Sequence, residues 1–213
     1  ENKLATPHQT SWGLSTRIIG GLIMTHGDNN GLVLPPKVAP IQVVVLPIAQ
    51  HKEGVIDKAQ ELVTRLKAAG LRVKGDFSDN SPGWKFAEYE MKGVPLRVEI
   101  GPKDIEAGQC VCVRRDNGEK ATVSLAELEA KIPELLNAVQ AGLFAKEKKN
   151  LDEHTFTAHS LEEVKQIVET EGGFVKTMWC GDLECELAMK EKAGVTSRCI
   201  PLKQENLGET CPV

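Results

Sequence analysis

No apolar run in this sequence approaches the roughly 18 to 20 residues that cross a bilayer. Its opening, Glu1-Asn-Lys-Leu-Ala-Thr-Pro7, has none of the apolar core of a secretion signal. It lacks an excess of positive charge, since 26 Lys and Arg against 30 Asp and Glu leave a net charge of −4. That excludes a protein that grips nucleic acid by bulk charge, and leaves RNA contact to a local patch or to side chains that read bases. Glycine-rich loops of the P-loop or dinucleotide type are missing, as is a nucleophile elbow. There is no internal repeat and no low-complexity tract. Six cysteines among 213 residues do not make a secreted disulfide scaffold, so a reducing compartment is expected. An initiating Met is also absent, which reads as a piece excised from a longer protein.

What is there is ordinary globular material. The hydrophobic fraction of 41% and charged fraction of 26% allow a real core. The length fits one large or two small domains. A polar stretch rich in Ser and Thr leads to Ile18, Ile19, Leu22, Ile23 and Met24, apolar on nearly every side, which predicts a buried helix. Ser15-Thr16 would cap it and Gly27 would end it. After Pro35-Pro36, strands and helices alternate. Ile41–Leu46 reads as a buried strand, and Val55, Ala59, Leu62, Val63, Leu66 and Ala69 share a helical face that Gly70 stops. A strand starts at Leu71 and Val73, a short helix covers Trp84–Met91, and Leu96, Val98 and Ile100 alternate as in a half-buried strand. Another strand covers Cys110–Arg115. Ser124-Leu-Ala-Glu127 is a capping box opening a helix that Pro133 should break or restart. This alternation predicts a layered α/β domain over 38–147. Lys146–Asn150 is a solvated linker candidate. Beyond it, Ser160-Leu-Glu-Glu163 caps a helix that Gly172-Gly173 breaks, and Phe174–Trp179 is strand-like.

Three groups of residues carry chemistry. The first is Thr10-Ser-Trp-Gly-Leu-Ser-Thr-Arg17. Gly13 permits close approach of a flat ligand, Trp12 offers an apolar wall, and Arg17 supplies a planar fork for phosphate at a helix start. A polar edge strand leading into a core helix is the plainer alternative. The second is Ser81–Asp104. Lys85, Glu88 and Lys92 lie along the predicted helix, and Phe86 and Glu90 share a face. Exposed rings stack unpaired bases, and carboxylates accept from the guanine edge. Arg97 and Lys103 could hold bases or phosphate. A salt-bridged amphipathic helix with Phe86 and Tyr89 in the core is the alternative. The third is Cys180-Gly-Asp-Leu-Glu-Cys185 with Cys211, 26 residues further on, a spacing that suits a structural zinc short of one ligand. A version of the domain that has lost its zinc remains open. Cys199 is expected in the core, with a lesser role as substitute ligand. Cys110 and Cys112 share a strand face and are expected as buried free thiols. The histidines have no catalytic spacing; His8 alone approaches the first group.

Together these segments resemble the C-terminal part of the prolyl-tRNA synthetases of eukaryotic and archaeal type. The Thr10–Arg17 run, with Ile18–Asp28 and Gly31–Lys37, is similar to the third signature motif of class II synthetases. Gly83–Phe86 and Gly93–Asp104 resemble the prolyl version of the anticodon-binding domain, and Met178–Glu186, Arg198–Pro201 and Cys211 resemble the family's zinc domain. The resemblance implies a catalytic-domain end over 1–37, a remnant of an antiparallel sheet. It implies an anticodon-binding domain with a mixed sheet flanked by helices over 38–147, and a small α/β zinc-type domain over 148–213. Arg17 would act on ATP phosphate during carboxylate attack on the α-phosphate, with Mg²⁺, and Thr10, Trp12, Gly13 and Ser15 would line the ATP and proline pocket. Phe86, Glu90, Arg97 and Lys103 would contact the two guanines of the proline anticodon, Arg114 and Arg115 the RNA backbone more weakly. Cys180, Cys185 and Cys211, with a cysteine beyond Val213, would bind zinc. The implied parent is a cytoplasmic homodimeric ligase acting on proline and tRNA(Pro), without membrane contact. Its first two motifs would lie upstream of Glu1, so this piece alone is expected to be inactive. A threonyl or glycyl sibling is disfavoured by the cysteine domain. A non-catalytic RNA-binding module is disfavoured by the retained Thr10–Arg17 run. An unrelated metal-stabilised α/β protein would bind no tRNA.

Overall fold

A computed structural model of the chain describes residues 3–213. The chain divides into two compact units, Glu1–Phe144 and Ala145–Val213.

In the first unit, residues 3–15 adopt no regular structure and are exposed. The expected motif strand is therefore not formed here, because a strand needs a neighbour to satisfy its backbone groups and none among the described residues pairs with this segment. Helix α1 (Arg17–His26) follows. It starts without a side-chain cap, and Gly27 ends it with extended backbone rather than a left-handed turn. None of its residues is buried, and Met24 is 83% exposed. This corrects the expected core helix: its composition is that of a packed helix, but among the described residues Leu22 and His26 are only partly covered and Ile18, Ile19, Ile23 and Met24 stay exposed.

The central elements are β1 (Val43–Pro47), α2 (Val55–Ala68), β2 (Val73–Gly75), α3 (Pro82–Met91), β3 (Leu96–Ile100), α4 (Pro102–Glu106), β4 (Gln109–Arg114), β5 (Lys120–Ser124) and α5 (Leu128–Glu153). Their five-stranded sheet has the order β2-β1-β3-β4-β5. β1 runs parallel to β2 and β3, and β4 and β5 are antiparallel. All five residues of β1 are buried, as befits a central strand covered on both faces. Val43 and Val45 join Leu62 and Leu66 of α2, Val98 of β3 and Ile132 and Leu136 of α5 in the main core. Val44 and Leu46 face the other way, toward Tyr89 and Phe86 of α3. Burying each such Val or Leu contributes roughly 1.5–3 kcal/mol. Because side chains alternate along strands, Arg97 and Glu99 of β3 share the α3 side of the sheet. Beyond α3 that side is only partly covered: Thr122 and Lys120 are exposed, whereas Cys110, Cys112 and Val123 are buried on the other face.

Two helix expectations fail locally. Ser124 ends β5, paired with Gln109, and its hydroxyl accepts from the amide of Ala126 at 3.3 Å instead of capping at Glu127. Sheet pairing holds that residue, and α5 begins only at Leu128. Pro133 does not break α5, because Ile132 and Leu136 on either side of it are buried in the core. Lys146–Asn150 is likewise helical, not a linker; Lys148–Asp152 and Lys149–Glu153 pairs lie along its solvated face.

The second unit holds β6 (Thr155–Thr157), α6 (Leu161–Thr170), β7 (Phe174–Lys176) and α7 (Leu183–Ala193). β6 and β7 pair in parallel, with α6 as the crossover. Ser160 caps α6 by accepting from the Glu163 amide at 3.2 Å, and Glu163 reaches back to the amide of His159 rather than that of Ser160. Gly173, at φ +93°, lies so close to His154 that a Cβ would fall 2.3 Å from its carbonyl oxygen. Only Ala158 and Val164 are buried hydrophobic residues in this unit, among those described. A two-stranded sheet over so small a core is marginal without a further tie.

Candidate nucleic-acid interface

Helix α3 is built to present one face outward. Pro82 occupies its first turn and Ser81 caps it, accepting from the Trp84 amide at 3.3 Å. Tyr89 anchors it in the core, its hydroxyl pushed up to about 12 by burial and by the charge of Asp76. Phe86 is left half-buried, with the Arg97 guanidinium stacked 4.2 Å from its ring centre. Arg97 is oriented by Glu99, its Nε donating to Oε1 at 2.8 Å. One turn after Phe86, the Glu90 carboxylate accepts from Asn30 at 3.1 Å. A cavity of about 460 Å³ opens here, lined by Glu90, Arg97, Asp28, Asn30, Arg115 and Lys120 among others. Ring, cation and carboxylate thus stand together, which is the set that stacks a base and accepts from its edge.

The other expected contacts are distributed differently. Lys103 is exposed on α4, whose Ile105 packs against the core on the opposite face of the sheet. Lys85, counted among the base-reading groups, is instead 1% exposed; its Nζ donates to Gln50 at 3.0 Å and to the Asp76 carbonyl at 3.1 Å. Arg114 and Arg115 are not free for an RNA backbone. Arg114 pairs with Asp116 at 2.7 Å and Glu119 at 3.1 Å, and Arg115 with Asp28 at 2.6 Å. That pairing holds the Asp28 carboxyl down at about 2.

Thr10, Trp12, Gly13, Ser15 and Arg17 are all exposed, Trp12 at 95%. A Cβ added at Gly13 would meet nothing within 4 Å. Among the described residues, therefore, nothing encloses Trp12 or Arg17.

In the second unit Cys180, Cys185 and Cys211 converge, their sulfurs all within 4.8 Å of one another. Cys180 precedes α7, Cys185 lies in its first turn, and Asp182 caps that turn by accepting from the Glu184 amide at 2.9 Å. The neighbouring Cys180 thiol, followed by burial, pushes Cys185 up to about 12. Cys211 is held down despite burial, because the amides of Val213 and Cys180 stabilise its thiolate. Cys199 is exposed and outside the group, correcting its expected place in the core; Ile200 beside it is exposed too. Cys110 and Cys112 are buried free thiols, and contact between them, with burial, pushes Cys112 far up.

Residues 42–135 match the family described as "Anticodon binding domain", and residues 161–213 match "Prolyl-tRNA synthetase, C-terminal". The chain is 58% identical over 211 residues to a proline–tRNA ligase of Lachnoclostridium phytofermentans, covering 99% of this chain and 44% of the relative. It is 58% identical over 210 residues to a proline–tRNA ligase of Clostridium novyi, covering 99% and 44%. With proline–tRNA ligase 2 of Bacillus cereus it shares 59% identity over 204 residues, covering 96% and 43%. The chain is thus similar to the prolyl-tRNA synthetases over nearly its whole length.

It corresponds to the family's C-terminal part, and spans less than half the length of these curated relatives. Within this segment, the residues that sequence reasoning missed are Asp28 and Asn30. Asp28-Asn-Asn-Gly31 is legible as a turn. Nothing in it announces that the turn lies against Glu90 and Arg115, far along the chain.

Proposed function

We propose that this chain is part of a proline–tRNA ligase, which activates proline with ATP and transfers it to tRNA(Pro). The first unit's part is to read the anticodon. The single observation behind this is the Phe86, Arg97 and Glu90 group on one open face of the sheet. Phe86 with Arg97 forms a stacking platform, and Glu90 accepts from a guanine edge. Lys103, on its separate helix, holds phosphate or a flanking base. The local character of this site fits a chain of net charge −4, because base-reading needs few cations.

Thr10, Trp12, Gly13, Ser15 and Arg17 supply one wall of the ATP and proline pocket, and Arg17 binds phosphate as the proline carboxylate attacks. The other walls belong to other parts of the enzyme, as does the homodimer contact. The exposed apolar side of α1 supports a covering surface there. ATP is used with Mg²⁺. The donor set of Cys180, Cys185 and Cys211 fits a structural Zn²⁺: three sulfurs converge on one point, and the small core of their unit needs such a tie. Bound there, zinc would hold the start of α7 to the irregular C-terminal segment that carries Cys211. No helix among the described residues is long and apolar enough to cross a membrane, and the proposed setting is the cytoplasm.

The test is binding of the chain to proline tRNA and to the same tRNA with both anticodon guanines replaced. Binding should weaken by at least tenfold on replacement, the loss of about 1.4 kcal/mol. Equal affinity for the two would remove the anticodon reading.

A further inference from the structure

The cavity beside Glu90 has a wall from outside the stretch that matches the anticodon-binding family. Asp28 and Asn30 line it, yet the match begins at residue 42. These residues belong to a turn that is tied to α3 at several points. Leu32 donates to the Met91 carbonyl at 2.9 Å, and Leu34 to that of Gly93 at 3.1 Å. A Cβ on Gly31 would lie 2.5 Å from the Met91 oxygen, and one on Gly93 would lie 2.6 Å from the Leu32 backbone. Both glycines have positive φ, so the close approach is built into backbone and not into flexible side chains.

The polar contacts of the turn converge on one residue. Asn30 Nδ2 donates to Glu90 Oε1 at 3.1 Å, and among the described residues Oε2 has no hydrogen-bond partner. Arg115 donates through Nε to the Glu90 carbonyl at 2.8 Å, and through its two terminal nitrogens to Asp28 at 2.6 and 2.7 Å. Asp28 Oδ1 in turn accepts from the Asn30 amide at 2.9 Å. Asp28 therefore does two things. It fixes the turn that carries Asn30, and it occupies the guanidinium that would otherwise compete for the Glu90 carboxylate.

We propose that the Asp28–Gly31 turn is a working part of the base reader, with Asn30 as a positioning residue that aims the Glu90 carboxylate and the Asp28–Arg115 pair as its anchor. This rests on the anticodon reading above. A glutamate near a helix end samples several rotamers. Holding one oxygen while leaving the other open selects the rotamer in advance and lowers the ordering cost of binding a guanine edge.

The experiment measures fluorescence anisotropy of the chain with two RNA hairpins, one carrying both anticodon guanines and one with both replaced. The quantity read is the ratio of the two dissociation constants. Asn30→Ala should lower this ratio about tenfold, by weakening only the guanine hairpin. Asn30 is exposed, so the thermal midpoint should stay near that of the wild type. Asn30→Ser, which keeps a donor, should recover part of the ratio, and Asp28→Ala should lose it as Asn30→Ala does. If the wild type discriminates and Asn30→Ala discriminates equally well, the inference is overturned. It is equally overturned if Asn30→Ala weakens both hairpins alike, which is what a merely structural role predicts. A wild-type chain that binds both hairpins equally overturns the anticodon reading and this inference with it.

Discussion

Replacing Lys85 with Met isolates what a buried ammonium does for the reading helix. Lys85 is 1% exposed and joins two loops, donating to Gln50 after β1 at 3.0 Å and to the Asp76 carbonyl after β2 at 3.1 Å. The Asp76 carboxylate is 3.9 Å away. Met has a similar length, so Lys85→Met opens little cavity and the loss is mainly polar. Two hydrogen bonds from a charged donor are worth about 3 kcal/mol or more together. Relief from desolvating the ammonium offsets part of this. Asp76 is not stranded, because the Ser78 amide still donates to it at 2.9 Å. The expected net loss is about 2 kcal/mol, confined to the first unit. Amide hydrogen exchange in β1 and α3 reports that unit alone, and the slowest amides should exchange about thirtyfold faster. Guanine discrimination should fall as well, because Phe86 sits next to Lys85 on α3 and loses its fixed position against Arg97. Exchange that is unchanged, or slower, would refute the reasoning. It would mean that burying the charge costs at least as much as its bonds return.

Two further outcomes follow from named groups. The Asp28 carboxyl titrates at about 2 when folded, below the ordinary carboxylate value of about 3.9. Its pairing therefore stabilises the fold at neutral pH, and that contribution is lost as pH falls from about 4 toward 2. Urea midpoints of the wild type and Asp28→Asn should differ at pH 7 and converge toward pH 2; a constant gap would show that the charge of Asp28 is not what matters. For the cysteine group, adding zinc to metal-free chain should raise the melting temperature of the second unit and bind one equivalent. Cys185→Ser should abolish both effects and Cys199→Ser neither. Loss of binding on changing Cys199 would mean that the ligand set is different.

Much of the fold was legible from residue pattern. The face of α2 formed by Val55, Ala59, Leu62 and Leu66 is buried as its spacing requires, and Leu96, Val98 and Ile100 of β3 all enter the core. Gly70, Gly93 and the Gly172-Gly173 pair stand where chains turn through positive φ, a position that costs other residues strain. The grouping of Phe86, Glu90 and Arg97 was legible in part, since two of them lie one helical turn apart. Their union with Arg97 needed β1 and β3 to pair in parallel beneath α3. Local patterns misled where a distant partner outweighed them. Ser124 carries a capping signal but is held in β5 by Gln109, and Pro133 is carried through α5 by the buried neighbours on either side.

Sequence alone determined which segments are amphipathic, where they turn and which residue types are able to stack a base or hold a metal, because those properties depend on side chains a few positions apart. Only the tertiary structure decided which of those side chains face each other. It turned Lys85 inward, closed Arg114 and Arg115 onto carboxylates, brought Cys211 to Cys180 and Cys185, and set Asn30 against Glu90. Each of these contacts joins residues remote in sequence or depends on which way a helix is turned. The energy that selects it lies in core packing and sheet register, which no short stretch of sequence carries.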